Sequence, residues 1–177
     1  MNKLEYFQEE IENIYDKELR QLARNLIEGL PDYFFTIPAS SSGKYHPQYA
    51  LGEGGLVRHT KAAVKIAVSL LSLEQNKHLN KDYVIIALLI HDGFKQGLEQ
   101  SNKTINEHPW LSANYVRNFE YKDKNALSII ANLIESHMGE WNYGVLPKPQ
   151  TELQKFVHLC DYLASRKFLE VNFDKSN

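Results

Sequence analysis

Cysteine is almost absent from this chain: Cys160 stands alone, so no intramolecular disulfide can form and the composition suits a reducing compartment. Charge of one sign is not in excess either. Twenty Lys and Arg face 22 Asp and Glu, a net charge of -2, and neither sign gathers into a block, which excludes a protein that coats duplex DNA through its phosphates. Long apolar runs are missing. The longest, Val84 to Ile90, is far too short to cross a bilayer, and the opening Met1-Asn2-Lys3-Leu4-Glu5 lacks the apolar stretch of a signal peptide. A cytoplasmic location away from membranes is therefore expected. No run alternates like a strand, no segment repeats, and no interior linker divides the chain.

With 43% hydrophobic and 11% aromatic residues, the chain is globular and not disordered. The expectation is an all-α helical bundle forming one domain across residues 1–177. Leu4, Phe7, Ile11, Ile14, Leu19, Leu22 and Leu26 recur at helical spacing and predict one long amphipathic helix from Leu4 to Leu30, stopping at Gly29. Pro31 opens a short helix over Asp32 to Phe35, and a loop rich in Ser and Gly follows. Leu56 to Leu73 predicts the second long helix. Asn80 caps a third, Lys81 to about Asp92, which is apolar on nearly every face and hence central. Pro109 to Phe119 and Asp123 to Met138 are two more. Thr151-Glu152-Leu153-Gln154 matches a reciprocal capping box that opens a last helix through Arg166.

Chemistry concentrates at the edges of these helices. His59, the adjacent pair His91-Asp92, His108, His137 and Asp161 supply imidazole nitrogens and carboxylate oxygens, a donor set that suits Mn, Fe, Co, Ni or Zn, with Mg also admitted, better than Ca. Adjacent ligands on a helix point about 100° apart, so His91 and Asp92 can clasp an ion only near a helix end. Gly93 provides one.

This ordered series, led into by Gly-Gly-Leu-Val-Arg-His-Thr and followed from Asp161 by Asp-Tyr-Leu-Ala-Ser-Arg, resembles the HD-domain superfamily of metal-dependent phosphohydrolases. The resemblance implies an all-α bundle of the HD-domain type. It assigns His59, His91, Asp92 and Asp161 to a first divalent ion, with Asp92 available to bridge, and His108 and His137 to a second. The alternative for that last pair is direct contact with substrate phosphate. Lys95 stands at the offset where members of the superfamily often carry a lysine, although the glycine that usually precedes it directly is displaced here to Gly93.

Two divalent ions, two aspartates and a hydroxide leave a net positive charge, which attracts a phosphate ester. A metal-bound hydroxide is then the nucleophile, with Asp92 and Lys95 as the catalytic pair. Substrate contacts are expected from Lys95, Arg166, Arg58 and His46: the ammonium against phosphate or leaving group, the guanidinium groups as phosphate forks or surface ion pairs, and His46 from the loop with Lys44 and Tyr45. His158 shares a helix face with Asp161 and either orients it or touches substrate, while Glu140, Trp141 and Asn142 form a rim where Trp141 stacks on a base or simply packs. Cys160 is a packing residue and His78 is solvent-exposed.

The leading function is hydrolysis of a phosphomonoester or phosphodiester, in a nucleotide or other small phosphorylated metabolite. The glycine-led stretch is also similar to HD-type bacterial exonucleases, which carry an additional nucleic-acid-binding domain; with no room for one here, a small soluble substrate is expected. Two other uses of the same residues stay open. They are a di-iron oxygenase and a non-catalytic metal- or nucleotide-binding signalling module. A homo-oligomer also remains open.

Overall fold

Every side chain from Val84 to Ile90 is buried, so the helix that carries them has no solvent face and the others must pack around it. The computed structural model describes residues 2–40, 42–44, 46–141, 144 and 146–167. Seven α-helices and no strand occur among them: α1 Gln8–Glu12, α2 Lys17–Glu28, α3 Gly55–Leu71, α4 Lys81–Ile90, α5 His108–Arg117, α6 Lys124–Glu135 and α7 Glu152–Ala164. The all-α expectation holds. Helix α4 packs against α2, α3, α6 and α7, while α5 pairs with α6 and α3 with α7. None of the described helices is long and apolar enough to cross a membrane.

The caps explain where the helices start. Asn80 Oδ1 accepts the Tyr83 amide at the head of α4, Asp123 accepts the Ala126 amide at α6, and Thr151 with Gln154 forms the reciprocal box at α7. Pro31 precedes a 3-10 turn over Asp32–Phe35. Helices α3 to α7 each end two or three residues sooner than expected. Helix α4 stops at Ile90 and α6 at Glu135, leaving His91, Asp92 and His137 on the turns that follow.

The single long helix expected from Leu4 to Leu30 is broken. A 3-10 turn over Lys3–Phe7 leads into α1, and α2 begins only at Lys17. Asp82, on α4, accepts the amides of Tyr15 and Asp16 at 2.9 Å each, and the Asp16 side chain caps α2 by accepting from Glu18 and Leu19. These carboxylates offer the backbone amides better partners than continued helix would. The break lets Phe7, Ile11 and Ile14 reach the same core as Leu22 and Leu26 from a different direction.

The entry to α3 depends on glycine. Gly54 has a positive φ of 68°, and a Cβ on Gly55 would lie 2.3 Å from the Ala50 carbonyl oxygen. That close approach lets Gly54 and Leu56 donate to the carbonyls of Thr36 and Ile37, which anchors the first turn of α3 and aims His59 inward.

Candidate metal centre

Five helices deliver six ligand-type side chains to one end of α4. His59 comes from inside α3, His91 and Asp92 from the turn after α4, His108 from the first residue of α5, His137 from just beyond α6, and Asp161 from α7. All are buried except for a 16% exposure of the Asp161 side chain. Every ligand residue singled out in the sequence is therefore in one cluster.

Backbone carbonyls set the orientation of three of the imidazoles. His91 Nδ1 lies 2.6 Å from the Leu88 carbonyl oxygen, His108 Nδ1 2.6 Å from that of Ile105, and His137 Nδ1 2.7 Å from that of Ile134. A carbonyl oxygen only accepts, so each Nδ1 carries the proton and donates it. Each Nε2 then presents its lone pair to the centre, the arrangement that metal-ligating histidines share.

Asp92 divides the cluster. Its Oδ2 lies 3.5 Å from His91 Nε2 and 3.9 Å from His59 Nε2, whereas its Oδ1 lies 3.0 Å from His108 Nε2 and 3.6 Å from His137 Nε2. Asp161 Oδ1 sits on the first side, 2.9 Å from His59 Nε2 and 3.5 Å from His91 Nε2. Ligand atoms of His59, His91 and Asp161 lie close enough to share one ion, as do those of His91, Asp92 and His137. His91 Nε2, Asp92 Oδ1 and His108 Nε2 are buried with no hydrogen-bond partner among the described residues. Buried acceptors that converge without a donor fit a cation between them.

The electrostatics agree. Burial would raise the carboxyl of Asp92, but Lys95 and His91 hold it well below the ordinary carboxylate range; burial is likewise outweighed at Asp161, by the adjoining imidazoles of His59 and His91. Burial pulls His91 down, yet the charges of Asp92 and Asp161 prevail and push it up to about 10, so their field favours a positive charge at Nε2, either a proton or the metal ion that would displace it. His137, where burial dominates, is lowered instead. Both carboxylates are thus charged at neutral pH, and their field calls for positive charge.

A pocket of about 570 Å³ opens onto this cluster, within the usual range for a small-molecule site. Lys95 lines it, with Nζ 2.5 Å from Asp92 Oδ2, so its ammonium rests on the cluster instead of in solvent. His46 also lines the pocket, its ring edge-on to His59 with centroids 5.7 Å apart. Burial first, then His59 and Lys95, bring His46 down to about 4, so it enters as a neutral imidazole. Arg166 lies on the wall over the rings of Trp141 and Tyr162.

Arg58 corrects the sequence reading. Its guanidinium turns away from the pocket and donates to the carbonyls of Tyr49 at 2.5 Å and Leu51 at 2.8 Å, in the turn ahead of α3. It holds the loop and not a phosphate. No hydrogen bond joins His158 to Asp161 among the described residues; its Nδ1 donates to the His137 carbonyl at 2.7 Å, and Gly139, at φ 55°, leaves room that a Cβ would take from the His158 ring. Glu140 pairs outside with Lys148, and exposed His78 pairs with Glu152. Tyr45 and Asn142 lie outside the described residues. Sequence reasoning missed Tyr162, which lines the pocket; its position four residues after His158 on α7 was the available signal.

A family model for the HD domain matches residues 56–166, well over half of the chain, and spans all six clustered side chains. The chain belongs to the HD domain family. It is thereby a member of a superfamily of metal-dependent phosphohydrolases, and the HD pair of the family's name is His91-Asp92 at the end of α4. Neither the curated proteins nor the solved structures returned a match to this HD domain protein.

Proposed function

We propose that this HD domain protein is a metal-dependent hydrolase of small phosphate esters, phosphorylated metabolites or nucleotides, with two divalent ions. The observation that carries the reading is the Asp92 carboxylate, whose two oxygens face two different groups of imidazoles. His59, His91, Asp92 and Asp161 would hold the first ion, and His108, His137 and Asp92 the second. When bound, such ions lower the pKa of water enough to supply a hydroxide nucleophile at neutral pH and polarise the phosphoryl oxygens.

The chain's own residues do the rest. Carbonyls of Leu88, Ile105 and Ile134 lock three imidazoles in the tautomer that offers Nε2. Lys95, half-buried beside Asp92, is within reach of a phosphate seated over the cluster and neutralises charge that develops on it. His46 brings a neutral imidazole to the pocket to hydrogen-bond the ester. Arg166 guards the outer wall.

The test is a screen of phosphate esters with protein reconstituted in Mn, Fe, Co, Ni or Zn. Release of phosphate or a phosphomonoester that requires the metal and survives removal of oxygen is expected. Oxygen consumption by the iron-loaded protein without phosphate release would replace the reading with an oxygenase. Binding without any turnover would leave a signalling module.

A further inference from the structure

Asp161, Tyr162 and the C-cap Ser165 follow His158 by three, four and seven residues along α7 and its end, so they share one helix face, and that face lines the pocket. Asp161 belongs to the His–Asp cluster; its neighbours build a separate wall. The Trp141 ring stacks on Tyr162 with centroids 5.4 Å apart and planes 16° from parallel. The Arg166 guanidinium lies over both, 4.7 Å from the Trp141 centroid and 4.3 Å from that of Tyr162. His158 packs 5.9 Å from Trp141 and is tied through Nδ1 to the carbonyl of His137. The wall is thus joined to the cluster through the His158–His137 hydrogen bond.

Two features of this wall are unspent. Trp141 remains 43% exposed despite its stacking, and Arg166 Nε is buried with no hydrogen-bond partner among the described residues. No carboxylate pairs with Arg166 among the described residues, in contrast to Lys95 on Asp92. Tyr162 and the Arg166 guanidinium cover part of Trp141, and the part of the ring that stays exposed can receive a planar heterocycle, which stacks there and accepts from the guanidinium edge. The pocket therefore has an anion-seeking end at the His–Asp cluster and Lys95, and a stacking end at Trp141.

We infer that this wall is a nucleobase subsite and that the substrate is a nucleoside monophosphate, with its phosphate on the cluster and its base against Trp141 and Arg166. The inference rests on the phosphate-ester reading of the centre. A single phosphate is assigned because, among the described residues lining the pocket, the His–Asp cluster and Lys95 gather at one end, while Arg166 is engaged over the aromatic rings at the other.

The experiment measures binding of adenosine 5′-monophosphate, ribose 5-phosphate and adenosine to the Mn-loaded protein by calorimetry. Adenosine binding is followed in parallel by indole quenching in Trp110→Phe, where Trp141 is the remaining tryptophan. The nucleotide should bind at least roughly tenfold more tightly than the sugar phosphate. Trp141→Ala and Arg166→Ala should bring that ratio toward one, and Trp141→Phe should keep most of it. Equal binding of nucleotide and sugar phosphate by the unaltered protein, or a ratio that survives Trp141→Ala, overturns the subsite while leaving phosphate hydrolysis intact. Adenosine that quenches Trp141 in a protein with no activity on any phosphate ester upholds the subsite and overturns the phosphate reading instead.

Discussion

His108 Nε2 stands 3.0 Å from Asp92 Oδ1, although the proton of that ring sits on Nδ1 and is donated to Ile105. Two lone pairs face each other in a buried place, which is unfavourable unless a cation lies between them. Divalent ions should accordingly raise the thermal midpoint, since anything that binds only the folded state adds about 2.7 kcal/mol at 100 times its Kd. Asp92→Asn removes charge on both sides of the cluster and should abolish the shift and the bound metal. Scanning calorimetry with and without chelator reads this, and an Asp92→Asn protein with full metal content would sink the assignment.

The partition of the imidazoles between the two oxygens of Asp92 predicts stoichiometry. His108→Ala and His137→Ala should each lower the metal content from two ions toward one, whereas His78→Ala, on the surface beside Glu152, should leave it unchanged. Metal analysis after dialysis distinguishes these. One ion in the unaltered protein, reconstituted with excess Mn or Fe, would return His108 and His137 to substrate contact.

Lys95 should behave differently from the ligands. Its ammonium occupies Asp92 Oδ2, so Lys95→Gln removes a competing charge and should keep or tighten metal binding. Turnover should nevertheless fall, by about 2 to 4 kcal/mol in barrier or roughly 30-fold to 1,000-fold in rate, through loss of a charge-assisted contact to the reacting phosphate. Steady-state kinetics beside metal analysis tests both halves. Unchanged kcat/KM would confine Lys95 to charge balance.

Asp82 should matter for stability alone. Asp82→Ala leaves the Tyr15 and Asp16 amides without their acceptor where α1 gives way to α2, and should cost about 1–3 kcal/mol. Denaturant unfolding measures it. A variant as stable as the parent would mean that the break before α2 has other causes.

Much of the helical frame is legible locally because its determinants are local. Asn80, Asp123 and the Thr151–Gln154 pair bond to amides three residues away, and the unbroken apolar run of α4 admits only a central position. The first helix was misread because its apolar spacing is helical throughout, whereas the break at Asn13–Asp16 is imposed by Asp82, 66 residues further on. Arg58 was misread for a related reason. A guanidinium beside a ligand histidine suits a phosphate or a loop carbonyl equally, and the positions of the Tyr49 and Leu51 carbonyls decide between them.

The order His59, His91-Asp92, His108, His137, Asp161 by itself pointed to the family and named the side chains that the fold gathers into one cluster, because those residue types at those helix edges have few other uses. Only the tertiary structure decided that Asp92 turns one oxygen to each group of imidazoles, that Lys95 rests on the cluster, and that Tyr162 and Arg166 form a wall with Trp141. Those relationships join residues on separate helices, and the angle at which α3, α5 and α7 meet the end of α4 follows from side-chain packing summed over the whole core, which no short stretch of sequence encodes.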